Sequence, residues 1–245
     1  MKDILILHGW GSSAKNWGKI KEMLEIEGLK VFLPDLPGFG QSPPLEETWA
    51  VEDYANWVKK YCKENNLSPK GEAGEEAKPQ RPQFFLMGHS FGGSIALKYS
   101  LMFPGDVKKL LLVAPAIIRV NDWKKEFMAK MAKAFNKFPF LPFHSEIRRA
   151  FYRFFVKSDY PGTKGPMRET YLKVVKQDFS NQLSSVSVPT VLIWGDKDNV
   201  TPFKFAHFVK AKIPGAELKV LEGIGHIPRE EAPELFVRTI LESVL

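Results

Sequence analysis

Apolar residues fall into short continuous runs and longer periodic stretches that take turns along the chain. Residues 4–7 (Ile-Leu-Ile-Leu) form a run closed by His8-Gly9, the pattern of a strand covered on both faces in a parallel sheet. Residues 17–27 interleave Lys and Glu with Ile20, Met23 and Leu24, which predicts an amphipathic helix stopped by Gly28. Residues 31–33 predict a second strand ended by Pro34. Residues 48–65 predict a second helix, with Trp49, Tyr54, Trp57, Val58 and Tyr61 spaced for one buried face. Residues 68–82 carry Pro, Gly, Glu and Lys without an apolar period and read as an exposed loop. The rhythm then resumes with a strand at 84–87, a helix at 90–102 and a strand at 109–113. Later come a strand at 191–194, a helix at 203–212, a strand at 217–221 and a final helix from about 230 to 244. Six strands alternating with helices imply right-handed crossovers and a mostly parallel sheet between helical layers, a three-layer α/β fold.

Residues 115–186 break the alternation. They contain no convincing strand, and Pro139, Pro142, Pro161 and Pro166 separate helical stretches. Asn121 or Asp122 can cap a helix in which Trp123, Phe127, Met131, Phe135 and Phe138 form one stripe. A second helix after Ser145 sets Ile147, Phe151, Phe154 and Phe155 against Arg148, Arg149, Arg153 and Lys157. This reads as a helical insertion after the fourth strand, with residues 1–114 and 187–245 as the core domain.

Charge sharpens that division. The 245-residue chain has a net charge of +7. Residues 115–185 hold 14 Lys and Arg against 6 Asp and Glu, so the basic excess lies in the insertion. A single cysteine, Cys62, excludes an internal disulfide and a multi-cysteine metal cluster. The N-terminal residues lack the apolar run and cleavage site of a signal peptide, and no apolar stretch is long enough to span a bilayer. A cytoplasmic location is expected. Basic charge without zinc spacing or a readout motif gives nucleic-acid binding little support.

Gly88-His89-Ser90-Phe91-Gly92 lies between a predicted strand and a predicted helix, where a G-x-S-x-G turn lifts a serine above the sheet. A serine hydroxyl is a weak nucleophile until a base takes its proton, and a carboxylate must fix that base's tautomer. His226 follows the last strand in a glycine-rich loop, Gly223-Ile224-Gly225-His226. His144 and His207, in the insertion and on a helix, suit surface or packing roles better. Asp196 and Asp198 both follow the strand at 191–194, and either suits the carboxylate. A tetrahedral intermediate also needs two backbone donors. The N–H of Phe91, after the serine, and that of Trp10, in the loop His8-Gly9-Trp10-Gly11, are the candidates.

With the serine turn, the Asp and His after successive late strands and the His-Gly-Trp-Gly loop in order, the chain resembles the α/β-hydrolase superfamily over essentially its whole length. Asp35-Leu36-Pro37-Gly38-Phe39-Gly40-Gln41-Ser42 is similar to that family's D-x-x-G-x-G-x-S loop, which implies structural support for the site. The family's spacing favours Asp198 over Asp196. The insertion falls where the family places its cap. Members commonly begin with a strand hairpin, whereas here Met1 stands seven residues before His8. The resemblance therefore implies six strands in the order 4-3-5-6-7-8 of the family's numbering. Ser90 stands where epoxide hydrolases and haloalkane dehalogenases use Asp, which argues against both.

The resemblance implies a cofactor-free and metal-free serine hydrolase of carboxylic esters, working through an acyl-enzyme with Ser90, His226 and Asp198. Its aromatic cap implies a substrate with a hydrophobic acyl or alkyl part. The His-Gly-Trp-Gly and Asp-Leu-Pro-Gly-Phe-Gly segments also resemble the methyl esterases that act on pimeloyl carrier protein, so an acidic carrier protein at the basic cap is a further expected partner. A hydrolase of C–C bonds in ring-cleavage diketones, a ligand receptor on a hydrolase scaffold and a membrane-surface protein are the alternatives.

Overall fold

A computed structural model describes residues 2–67, 83–119 and 165–244. The loop expected at 68–82 and the cap helices expected after Asn121 and Ser145, with Arg148, Arg149, Arg153 and Lys157, lie outside the described residues. The chain divides into two compact units, Met1–Ile118 with Pro166–Leu245, and Arg119–Gly165. All described strands and helices belong to the first.

Six strands form one sheet: β1 (Lys2–Leu7), β2 (Leu29–Phe32), β3 (Phe84–His89), β4 (Val107–Val113), β5 (Thr190–Gly195) and β6 (Glu217–Leu221). Their order is β2-β1-β3-β4-β5-β6 and every neighbouring pair is parallel. This is the six-strand parallel order that the resemblance implies. The chain moves outward from β1 to β2, then crosses back over β1 to β3. That reversal opens a crevice at the carboxyl ends of β1 and β3, where ligands bind in open α/β sheets.

Side chains alternate across each strand and so divide into two cores. Leu5, Leu7, Leu86, Leu110, Leu112 and Leu192 face one side. There they meet Tyr54, Val58 and Cys62 of α2 (Val51–Glu64) and Ile95 and Tyr99 of α3 (Phe91–Met102). Ile4, Ile6, Phe85, Met87, Leu111, Val113 and Ile193 face the other. That side is closed by Ile20 and Leu24 of α1 (Gly18–Ile26) and by Phe236 and Ile240 of the C-terminal helix. Because the carboxyl-terminal parts of β1 and β4, and β3 and β5, are covered on both faces, residues 4–7, 84–87, 110–113 and 191–194 are continuous apolar runs rather than alternating ones.

Two details differ from expectation. Residues 166–186 fall in the segment assigned to the cap, yet they belong to the compact unit that holds the sheet. Helix α4 (Pro166–Val174) ties to it through Thr170, whose hydroxyl accepts the Trp49 N–H at 2.9 Å, and Leu183 and Val186 are buried in the first core. The continuous final helix is in fact two, α6 (Pro228–Glu231) and α7 (Pro233–Val244). Pro233 has no N–H to continue the first helix, and Ala232 before it leaves the helical region at φ −152° and ψ 66°. The short α6 this creates belongs to the site. Between β5 and β6 lies α5 (Lys204–Lys212).

Candidate active site

Ser90 sits between the last residue of β3 and the first of α3, with φ 54° and ψ −115°, a conformation that costs a non-glycine residue about 1–3 kcal/mol. Its neighbours hold it there. The Ser90 N–H donates to the Val113 carbonyl at 3.0 Å, and its own carbonyl accepts from Gly93 at 3.0 Å and from Ala116 at 3.0 Å. The glycines of the turn are dictated by close approach. A Cβ on Gly92 would overlap the Leu7 carbonyl oxygen, and one on Gly88 would overlap the Gly92 carbonyl. The turn can thus press against the end of β1 while its serine stands over the sheet.

The loop after β1 is fixed from within. His8 is fully buried. Its Nε2 accepts the Leu36 N–H at 3.0 Å, so Nδ1 carries the proton toward the Gly9 carbonyl at 2.9 Å. Burial lowers the His8 pKa and keeps the ring neutral, as that bonding requires. Asp35 accepts from the Ala14 N–H at 2.6 Å and from the Gln41 N–H at 2.8 Å, joining the first loop to the Gly38-Phe39-Gly40 turn. Trp10 packs in an aromatic group with Phe39 and Phe91, ring centroids 4.9 and 5.1 Å away.

Asp198 and His226 come together across β5 and β6. His226 Nδ1 lies 2.8 Å from Asp198 Oδ2. A carboxylate only accepts, so Nδ1 holds the proton and Nε2 is left as the basic nitrogen. The backbone N–H groups of Val200 and Thr201 donate to Asp198 Oδ1 at 2.8 and 2.9 Å, and the Thr201 hydroxyl donates to Oδ2 at 2.7 Å. Burial raises the Asp198 pKa, but the hydrogen bonds from His226 and Thr201 and the imidazole's charge outweigh it and hold the carboxyl below its ordinary value. Asp196 is occupied elsewhere: it accepts the Gly223 N–H at 2.7 Å and pairs with Lys197 at 3.2 Å.

The His226 loop is clamped on both sides. Glu231, from α6, accepts the Gly225 N–H at 2.6 Å and the Ile227 N–H at 2.9 Å, the residues flanking His226. Beneath, His89 donates from Nε2 to the His226 carbonyl at 2.8 Å. Burial, followed by the charges of His226 and Arg229, pushes the His89 pKa down to about 3, so this ring stays neutral.

A cavity of about 250 Å³ opens over these groups, just below the roughly 300 Å³ at which small-molecule sites begin. Ser90, His226 and His89 line it, together with the Gly9-Trp10-Gly11-Ser12 loop, Asn16, Ile227 and Arg229. Of the residues singled out in the sequence, Ser90, His226 and Trp10 therefore share one cavity, Asp198 stands behind His226, and Phe91 follows Ser90 at the first position of α3. That position's N–H has no acceptor within the helix. Sequence analysis missed Thr201, Glu231 and Arg229. Thr201 had a signal, since an Asp two and three residues before backbone N–H groups is the Asx-turn spacing. Glu231 and Arg229 had none while 230–244 was read as one helix. Among the described residues no group of three or more His, Cys, Asp or Glu is arranged to hold a metal, and no helix is long and apolar enough to cross a membrane.

The same architecture recurs in known proteins. An esterase from Exiguobacterium antarcticum superposes with a TM-score of 0.74 at 21% identity, covering 100% of this chain and 92% of its own. Lipase 1 of Psychrobacter immobilis is 26% identical over 94% of this chain and 72% of its own length. The pimeloyl-[acyl-carrier protein] methyl ester esterase of Nitrosomonas europaea is 26% identical over 96% of this chain and 92% of its own. Residues 4–239 match the sequence profile described as the alpha/beta hydrolase family. Esterases and lipases are thus among its relatives, and the chain is a hydrolase belonging to the alpha/beta hydrolase family.

Proposed function

We propose that the protein is a serine esterase that cleaves carboxylic esters through an acyl-enzyme. The observation that carries this reading is the 2.8 Å contact of His226 Nδ1 with the buried Asp198, beside a cavity that both His226 and Ser90 line. His226 Nε2 takes the Ser90 hydroxyl proton as Oγ bonds to the ester carbonyl carbon. The N–H groups of Trp10 and Phe91 stabilise the oxyanion of the tetrahedral intermediate. The intermediate then expels the alcohol, which leaves with the proton returned by His226. Water, giving a proton to the same nitrogen, attacks the acyl-enzyme; its collapse frees the acid and returns that proton to Ser90. No step calls for a metal or organic cofactor.

The same proposal gives the segment 119–165 the role of a cap and the substrate a hydrophobic part, supported by the Trp10, Phe39 and Phe91 cluster beside the site. The basic excess of residues 115–185, together with relatives named for an acyl-carrier protein, supports an acidic carrier protein as a partner. A cytoplasmic location belongs to the proposal too, supported by the single, buried Cys62. A p-nitrophenyl ester panel from acetate to laurate tests the chemistry. Wild type hydrolyses the panel and Ser90→Ala loses at least about 10³-fold in kcat. Equal activity in both proteins, or cleavage of a dienoate diketone with none of any ester, would overturn it.

A further inference from the structure

The cavity contains more polar chemistry than an uncharged ester uses. Arg229 lines it with a side chain only 8% exposed, and its Nε is buried with no hydrogen-bond partner. Its guanidinium lies over the Trp17 ring, 5.3 Å from the centroid, and Trp17 is itself 1% exposed. The cation is therefore held against a rigid wall rather than free to reach solvent. Its ion-pair partner is Glu230, at 2.6 Å from Nη2, but that carboxylate is 58% exposed and adjacent in sequence. Glu230 can therefore exchange the guanidinium for water. Ser12 Oγ and His89 Nδ1, which belong to residues lining the same cavity, are also buried without a partner. Burial lowers the Arg229 pKa, the direction expected of a cation short of an anion.

A buried guanidinium with an unpartnered Nε, in the cavity that Ser90 also lines, suits a carboxylate, which can take Nε and Nη2 together. We propose that Arg229, with Ser12 of the same cavity, is a subsite for a carboxylate on the substrate, so that the preferred esters are small half-esters of dicarboxylic acids or O-acylated hydroxy acids. This rests on the esterase proposal for Ser90 and narrows its substrate class. The incoming carboxylate takes Nε together with Nη2, and Glu230 is released to water. Glu230 is then a competitor for the subsite, and its removal strengthens anion binding.

Matched pairs test this: monomethyl succinate against methyl butyrate for a carboxylate on the acyl side, and acetoxyacetate against ethyl acetate for one on the alcohol side. Wild type favours the anionic member of one pair by about ten- to a hundredfold in kcat/KM, the usual strength of a charge-assisted hydrogen bond. Arg229→Met loses that ratio mainly through KM, Arg229→Lys keeps part of it, and Glu230→Gln raises it. The responding pair identifies the side of the ester that Arg229 faces. Two measurements supplement the matched pairs, the first independent of turnover and both independent of the folding of Arg229→Met. Calorimetry on Ser90→Ala reads binding of each intact ester, and inhibition of wild type by butyrate against butyramide reads the anion alone. Anionic preference absent from both pairs, from calorimetry and from inhibition overturns the subsite, while Ser90-dependent cleavage of neutral esters leaves the esterase proposal standing. Tight anion binding to Ser90→Ala without any wild-type turnover does the reverse.

Discussion

Acidification from pH 8 to pH 5 should destabilise the fold by about 2 kcal/mol through His89 alone. The side chain is 4% exposed, and burial, with the charges of His226 and Arg229, takes its pKa from 6.5 down to about 3. An unfolded chain protonates this ring below 6.5, whereas the folded protein leaves it neutral until about 3. Between those values the unfolded state binds more protons, so stability is lost as pH falls through the window. At pH 5, about 1.5 pH units under the unfolded value, RT ln(1 + 10^1.5) is about 2 kcal/mol and hardly depends on where near 3 the folded value lies. His8 is lowered in the same direction and adds to the wild-type loss. The perturbation is His89→Gln, which cannot titrate but keeps an amide donor for the His226 carbonyl. Urea unfolding followed by tryptophan fluorescence at both pH values gives each protein's change in stability. The wild-type drop is expected to exceed that of His89→Gln by about 2 kcal/mol at matched m values. Equal drops would refute the assignment of a neutral, buried His89 beneath the site.

Three further outcomes are expected. Asp198→Asn lowers kcat on a p-nitrophenyl ester by about 10⁴-fold, because the amide no longer holds His226 in its tautomer. Asp196→Asn stays within about tenfold, and comparable losses would remove Asp198 from its role. Glu231→Gln, which cannot accept both the Gly225 and Ile227 N–H groups, lowers kcat about ten- to a hundredfold with little change in melting temperature; an unchanged kcat counts against the clamp on the His226 loop. Gly92→Ala forces a methyl against the Leu7 carbonyl and lowers stability by at least about 1–3 kcal/mol in urea unfolding, whereas a wild-type midpoint would mean that the turn and β1 are less closely packed.

Much of the architecture was legible because its signals are local. The apolar runs at 4–7, 84–87 and 191–194 are strands buried on both faces, and such strands have to be apolar at every position. Gly88-His89-Ser90-Phe91-Gly92 identified the turn because the close approach of neighbouring backbone leaves glycine as the residue that fits at Gly88 and Gly92. The end of the chain was less legible. Apolar periodicity runs through residues 230–244, but Pro233 divides them, and the short α6 turns Glu231 back onto the His226 loop and sets Arg229 against Trp17. Periodicity records which face of a segment is buried; it does not record a break that preserves the face.

The sequence by itself determined the class of fold, since the alternation of apolar runs and periodic stretches is a local pattern, and it put forward Ser90 and His226 as candidate nucleophile and base from their motifs; the strand order came from the resemblance to a known family. Asp196 and Asp198 stood two residues apart, both after β5, and only the family's spacing inclined narrowly toward the second. Tertiary structure separates them: the turn sends one carboxylate to Gly223 and Lys197 and the other to His226. The same holds for Arg229, an ordinary basic residue in sequence, whose buried cation gains meaning only from the Trp17 ring and cavity around it. Burial and pairing across distant segments are properties of the packed molecule, and they set which charges are neutralised and which are left for a substrate.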